Sequence, residues 1–276
     1  THYDGQATWD PVLSPSSFHG VTTTVFGNCG VGFAPARPDS HDWLIQLMEG
    51  VEDIPGAALS EGIDWNWETF PEYLDALERM PRVMDIATQV PHGSVRAYVM
   101  GERGARNEDP TPEDLIEMAK IVQEGIEAGA LGFTSSRTML HRALDGEPVP
   151  GTFAGADELI AMGRAVADAG GGVVEVASDI GLGGLEGNFG SDIDWMRALA
   201  DDYGLTVTYA LNQADQHPQQ WRDLLELSSA PLEGQGKVIA QVAGRPAGLL
   251  FGLETSLHPF KMPPTYLDLA ASFSPS

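Results

Sequence analysis

The stretch ADELIAMGRAVADAGGGVVEVA, residues 156–177, joins an amphipathic segment of helical length to a β-branched run through a glycine-rich turn. Residues 156–169 predict a helix, and residues 172–177 predict a strand. The same alternation continues on both sides of this unit. Strand patterns lie at 21–26, 83–90, 131–134, 205–211 and 237–242, and helix patterns at 68–77, 111–128, 191–203 and 218–227. Strands that alternate with helices predict βα units around a parallel sheet.

Two α/β architectures agree with this alternation, a (β/α)8 barrel and an open doubly wound sheet. Six strand patterns are fewer than a complete barrel needs, so a barrel would be incomplete in this chain. No GxGxxG motif follows the strand pattern at 21–26, which removes the main positive argument for the open sheet. Residues 50–63 and 142–155 are rich in proline and glycine and predict long functional or covering loops.

Composition excludes several classes of partner. The 276 residues are 42% hydrophobic, which is ample for a globular core. Fifteen basic against 40 acidic residues give a formal charge of -25, which would repel nucleic acid and anionic lipid. No apolar run approaches the roughly 18 residues of a membrane span. Cys29 is the only cysteine, which fits a reducing compartment, so we expect a cytoplasmic protein. We also expect a small-molecule substrate.

Two short segments carry residues that suit metal or acid–base chemistry. His2 is followed two positions later by Asp4, and the strand pattern at 21–26 runs directly into Gly27-Asn28-Cys29-Gly30. In a parallel barrel the active site lies at the carboxyl ends of the strands, where glycines permit tight turns. Cys29 is therefore either a site residue or a small buried apolar side chain, and these residues alone leave both open.

Longer sequence motifs in the first third of the chain help to decide between these two roles of Cys29. They are HYDGQ at 2–6, SPSSFHGVTT at 14–23, GNCGVGFAP at 27–35, LMEGVEDIP at 47–55 and WNWETFPEYL at 65–74. These motifs, in this order, resemble those of the N-acyl-D-amino-acid deacylases of the amidohydrolase superfamily. The resemblance covers residues 1–105 well and extends more loosely beyond them.

The resemblance implies a TIM-like (β/α)8 metal-dependent hydrolase barrel with a small flanking β-sandwich. On this basis residues 1–276 form one partial barrel domain that lacks its first strand, its C-terminal part and the sandwich segments. His2 would be the second histidine of a His-x-His pair whose first member precedes Thr1, and Cys29 would be a thiolate ligand. The implied cofactor is zinc, as one or two ions. The catalytic aspartate of the family would lie beyond this chain, so no catalytic residue is assigned.

The chain departs from the family at two later strands, where the resemblance implies histidine ligands. The patterns at 172–177 and 205–211 contain no histidine. Glu175 or Asp179 could replace an imidazole, because carboxylates also bind zinc. Three explanations remain open: a divergent subgroup with a weaker or single metal site, a member without hydrolytic activity, or a different chemistry on the same barrel.

Two further residues are candidates for substrate binding. Arg137 and His141 follow the strand pattern at 131–134, and together they could bind a substrate carboxylate. Arg137 could instead pair with one of the many acidic residues of the chain. His92 follows the pattern at 83–90, and we interpret it as a loop histidine rather than a partner of a metal ligand.

Together these features predict a zinc-dependent hydrolase that cleaves a linear amide C–N bond. The expected reaction is deacylation of an N-acyl-D-amino acid by metal-bound hydroxide, because zinc lowers the pKa of its water toward about 7. A cyclic-amide hydrolase of the hydantoinase or dihydroorotase type is the alternative within enzymes. A non-catalytic barrel that has lost metal ligands is the alternative from another class. The sequence does not predict the oligomeric state.

Overall fold

The computed structural model describes residues 1–180, 189–244, 263–266 and 269, and the chain divides into two compact units, Thr1–Val242 and Ala243–Ser276. All strands named here belong to the first unit. They are β1 Thr23–Phe26, β2 Asp85–Thr88, β3 Val90–Pro91, β4 Gly132–Arg137, β5 Val173–Ser178, β6 Thr206–Ala210 and β7 Lys237–Gln241. The assignment of residues 1–276 to one barrel domain stays a prediction.

The helices alternate with these strands. They are α1 His41–Glu52, α2 Gly56–Gly62, α3 Phe70–Glu78, α4 His92–Met100, α5 Glu102–Ala105, α6 Pro112–Glu127, α7 Ala156–Asp168, α8 Phe189–Tyr203 and α9 Gln220–Ser229. Helices α3, α6, α7, α8 and α9 lie where the sequence predicts helices, whereas α1, α2, α4 and α5 are not predicted. None of the described helices is long and apolar enough to cross a membrane.

Every strand pair in the described part of the chain is parallel and joins strands that are consecutive in sequence, although β2 and β3 do not pair with each other. Strand β1 pairs with β2, and β3 to β7 form a five-stranded sheet in sequence order. The strand predicted at 83–90 is divided at Gln89 into β2, which pairs with β1, and β3, which pairs with β4. This order lacks the reversal of a doubly wound sheet and agrees with part of a TIM barrel.

Local sequence signals explain where two of the helices begin. Thr111 caps α6 through a capping box with Asp114, and Pro112 occupies the first turn. Thr69 and Glu72 form the same box at the start of α3. Each box satisfies two backbone N–H groups that would otherwise lack partners, which confirms the helix start predicted at Thr111.

The prediction of a loop at residues 50–63 is wrong. Residues 50–63 include the end of α1 and all of α2, because Leu59 is fully buried and provides an apolar anchor that the proline- and glycine-rich composition conceals. Within the described residues, the segment 142–155 contains no helix and only one isolated β-bridge, between Arg142 and Pro148.

Alternation along the strands creates a polar row. Val174 and Val176 are buried on one face of β5, and Glu175 lies on the other face. The register places Thr134 of β4 beside Glu175, and Glu175 beside Thr208 of β6. Because side chains of paired residues share a face, these three form one row on the face opposite the buried valines.

Candidate metal centre

Strand β1 ends in a tight turn that carries Cys29. Gly27, Cys29 and Gly30 all have positive φ angles, of 79°, 59° and 71°. A Cβ atom on Gly27 would lie 2.3 Å from the backbone oxygen of Gln89, so only glycine fits there. The strand-then-glycine pattern therefore produces the sharp turn that the sequence predicts.

The turn brings Cys29 to two residues from distant parts of the chain. His2 lies near the start of the chain, and Glu52 is the last residue of α1. One potential ligand atom from each of His2, Cys29 and Glu52 lies within 4.8 Å of the other two, and we call this group the metal cluster. The Nε2 atom of His2 is 3.2 Å from Oε1 of Glu52. Their side chains are only 17% and 20% exposed.

Burial favours the uncharged forms of the metal cluster when no cation is bound. It raises the pKa of Cys29, and the carboxylates of Glu52 and Glu175 raise it further. Burial also raises the pKa of Glu52 to about 7 and lowers the pKa of His2 to about 3. His2 is therefore a neutral imidazole at pH 7, which is the form that binds a metal.

Asp4 is buried beside the metal cluster and shares its electrostatics. Burial raises the pKa of Asp4 to about 7, and its charge contributes to the raised pKa values of Cys29 and Glu52.

The donor set and its unpartnered atoms fit a divalent metal. Nitrogen, thiolate sulfur and carboxylate oxygen are the ligands that zinc prefers. Two buried atoms at the site, Nδ1 of His2 and Oδ2 of Asp4, have no hydrogen-bond partner. A bound divalent cation would offset the cost of burying several acidic groups together.

Glu175 lies next to this site but outside the three-residue group. Its Oε2 accepts a hydrogen bond from Nε2 of Gln89 at 2.8 Å, and the same nitrogen is 3.4 Å from Oδ1 of Asn28, the neighbour of Cys29. Burial raises the pKa of Glu175. Asp179 accepts a hydrogen bond from the backbone of Met139 at 2.8 Å. Metal binding by Glu175 stays a prediction.

His141 lies close enough to His2 for its charge to lower the pKa of His2. Its Nδ1 is 3.0 Å from Oγ of Ser136, and burial lowers the pKa of His141. Arg137, in contrast, pairs with Asp192 through Nη2 at 2.8 Å and donates to the backbone oxygen of Ala154 at 2.6 Å. Substrate binding by Arg137 and His141 stays a prediction, and Arg137 would have to exchange Asp192 for the substrate.

Sequence reasoning missed Glu52. The residue stands in the word LMEGVEDIP, but the region from 50 onward was predicted as a loop, so nothing placed a carboxylate near Cys29. The helix α1 ends at Glu52 because Asp53 adopts a left-handed conformation, with φ of 54°. The end of α1 thus sets Glu52 beside the cysteine turn.

The interpretation of His92 as a loop histidine is wrong. His92 begins α4 and is fully buried. Its Nδ1 is 2.9 Å from Oγ of Ser135, and its Nε2 is 2.8 Å from Oε1 of Glu158, which also pairs with Arg96. We call His92, Arg96 and Glu158 the buried network.

The order of the parallel strands agrees with part of a TIM-type barrel, and the cysteine, histidine and carboxylate beside β1 are a candidate metal site. The sequence profile of the amidohydrolase family matches residues 1–273, so the chain belongs to that family. It is 32% identical over 137 residues to the D-aminoacylase of Alcaligenes xylosoxydans xylosoxydans, which is 49% of this chain and 25% of that protein.

Two solved structures share the fold. A crystal structure of D-aminoacylase, described as defining a novel subset of amidohydrolases, aligns with a TM-score of 0.65 and 22% identity over 87% of this chain and 45% of that chain. N-acyl-D-glutamate deacylase from Bordetella bronchiseptica, complexed with zinc and a phosphonate inhibitor, aligns with a TM-score of 0.57 and 19% identity over 88% and 44%. The chain thus spans about a quarter of the D-aminoacylase sequence and under half of these solved chains.

Proposed function

We propose that this chain supplies His2, Cys29 and Glu52 to the metal centre of a hydrolase that cleaves a linear amide C–N bond. The observation that carries the proposal is the approach of their three ligand atoms to within 4.8 Å of one another. Support for the substrate class comes from the similarity to D-aminoacylase and to N-acyl-D-glutamate deacylase. We therefore propose deacylation of N-acyl-D-amino acids.

We assign each residue of the metal cluster a role in metal binding. His2 binds through a ring nitrogen, because burial keeps its imidazole neutral. Cys29 and Glu52 lose their protons on binding, so the affinity for the cation rises with pH. When bound, zinc polarises the amide carbonyl and lowers the pKa of a water molecule toward about 7. Asp4 adds negative charge beside the site, which favours a divalent over a monovalent cation.

His141 is the better placed of the two candidates for substrate binding. His141 lies near His2, since protonation of His141 would lower the pKa of His2, whereas the guanidinium of Arg137 is paired with Asp192. We propose that His141 contacts the amino-acid part of the substrate at the rim of the metal centre. Glu175, beside the Cys29 turn, is the candidate for a ligand of a second ion.

The cofactor and cellular setting belong to the same proposal. We propose zinc, as one or two ions, since a similar protein was solved with zinc and the donor set suits that metal. The free thiol of Cys29 favours a cytoplasmic, reducing location. The net charge of -25 argues against nucleic acid or anionic membranes as partners.

The test measures zinc per chain and the release of free amino acid from N-acetyl-D-amino acids, with the L-forms as the comparison. Glu52→Gln should lower both the zinc content and turnover, and Cys29→Ala should abolish both. The matched control is Glu49→Gln on the same helix α1, which should change neither. Turnover of hydantoins instead would favour the cyclic-amide alternative. Zinc-free protein without turnover would favour a non-catalytic barrel.

A further inference from the structure

The side chain of Thr134 on β4 closes both ends of the turn that carries Cys29. The backbone N–H of Gly30 donates to Oγ1 of Thr134 at 3.0 Å. The same hydroxyl donates to the backbone oxygen of Gly27. A hydroxyl group can accept and donate at once, so one side chain holds the residues on either side of Asn28 and Cys29. Thr134 is fully buried, and water does not compete for these bonds.

The turn needs an external support because its own backbone is strained. Cys29 has a φ of 59°, and a non-glycine residue in this region persists where the surrounding structure fixes it. The turn also packs directly on the backbone of β4. A Cβ atom on Gly30 would lie 2.9 Å from the backbone nitrogen of Ser136, so the turn cannot shift toward the strand.

We propose that Thr134 is a positioning residue for the metal centre, which holds Cys29 in the conformation that binds the cation. The inference rests on the proposed metal cluster of His2, Cys29 and Glu52. Thr134 acts through the turn and is not a ligand. Without its hydroxyl, Gly27 and Gly30 keep a buried oxygen and a buried N–H without partners, and the turn relaxes toward conformations that no longer present the thiolate.

Thr134→Val tests this role because it keeps the shape of the side chain and removes the hydroxyl. Loss of a residue that orients a ligand lowers metal affinity about 10- to 100-fold, and we expect that range here. Thr134→Ser should restore the affinity of the unaltered protein, since serine keeps the hydroxyl. Thr134→Ala gives the same comparison if the valine variant does not fold.

Thr208→Val is the matched control. Thr208 lies in the same polar row on β6 and is also buried, but its Oγ1 has no hydrogen-bond partner. The same atoms are therefore exchanged without removing support from the turn. We expect zinc affinity equal to that of the unaltered protein.

The measurement is the Kd for Zn²⁺ by competition with a chromophoric chelator, together with the Tm of each metal-free variant. Weaker binding by Thr134→Val and Thr134→Ala, with normal binding by Thr134→Ser and Thr208→Val, supports the inference. A lower Tm with an unchanged Kd in Thr134→Val overturns it, because the hydroxyl would then serve stability alone. Unchanged affinity in Cys29→Ala would overturn the metal cluster itself, and the role of Thr134 with it.

Discussion

The metal cluster and the buried network both place ionisable groups inside the same barrel, yet the pKa values of their glutamates shift in opposite directions. In the buried network, hydrogen bonds and charge from His92 and Arg96 outweigh burial and lower the pKa of Glu158 to about 2. In the metal cluster, burial dominates and raises the pKa of Glu52 to about 7. The difference lies in the partners, because His92 and Arg96 both contact the carboxylate of Glu158, whereas the metal cluster contains no guanidinium.

This is the contrast expected between a structural site and the proposed metal site. Glu158 has a permanent cation in Arg96, so its charge is stabilised in the folded protein whatever else is bound. Cys29 and Glu52 have a neutral imidazole beside them, and their charged forms become favourable when a divalent cation enters. Two buried clusters of similar composition can therefore be distinguished by whether the chain provides its own cation.

The largest expected effect on the free energy of unfolding comes from breaking the buried network. Glu158→Leu leaves the guanidinium of Arg96 buried without its acid, and removal of one partner of a buried ion pair costs about 3–5 kcal/mol of unfolding free energy. The double variant Glu158→Leu with Arg96→Met should recover most of that loss. Urea denaturation measures both. Equal stability of the single and double variants would mean that the pair is not coupled.

The pH dependence of stability sharpens the comparison. The pKa of Glu158 falls from 4.5 to about 2 on folding, so its contribution is present above pH 4.5 and is lost as pH drops toward 2. The integrated contribution is about 3 kcal/mol. Unfolding free energy measured between pH 7 and pH 2 should therefore fall more steeply for the unaltered protein than for Glu158→Leu. Parallel pH profiles would contradict the lowered pKa.

Zinc should stabilise the protein through the metal cluster alone. A ligand at about 100 times its Kd adds about 2.7 kcal/mol of unfolding free energy. We expect the Tm to rise with Zn²⁺ in the unaltered protein and to stay constant in Cys29→Ala. The matched control on the same helix, Glu49→Gln, should respond like the unaltered protein. The same rise in Cys29→Ala would place zinc elsewhere on this acidic chain.

The last prediction concerns Glu52 in the absence of metal. Folding raises its pKa from 4.5 to about 7, so the ionised carboxylate destabilises the metal-free protein above pH 7. Glu52→Gln removes that charge and should raise the metal-free unfolding free energy at pH 8, by less than the roughly 3 kcal/mol that this pKa change implies, because water screens a side chain that is 20% exposed. The gain should disappear near pH 4, where the unfolded carboxyl is also protonated. Destabilisation at pH 8 would show that Glu52 is already paired.

The alternation of strands and helices could be predicted because its signals are local, whereas the barrel was implied by the resemblance to a family. Residues 156–177 specify α7 and β5 by spacing and composition, and the threonine at 111 specifies the start of α6 through its own capping box. The division of one strand at Gln89 could not be predicted in this way. It depends on which neighbour each half pairs with, and that is a property of the sheet.

The site could be predicted only in part. Cys29 follows a strand and sits between glycines, so its position on a tight turn is visible in the sequence. Glu52 and Thr134 reach the same turn from α1 and β4, and no local pattern marks either residue. His92 was misinterpreted for the same reason, because its partners Ser135 and Glu158 come from other elements.

The most direct test of the metal cluster is the X-ray absorption spectrum of the zinc-loaded protein at the zinc edge. The account predicts one sulfur neighbour at about 2.3 Å from Cys29, with nitrogen and oxygen neighbours at about 2.0–2.2 Å from His2 and Glu52. Glu52→Gln should keep the sulfur and lose an oxygen neighbour. A spectrum with nitrogen and oxygen neighbours alone, unchanged in Cys29→Ala, would contradict the metal cluster.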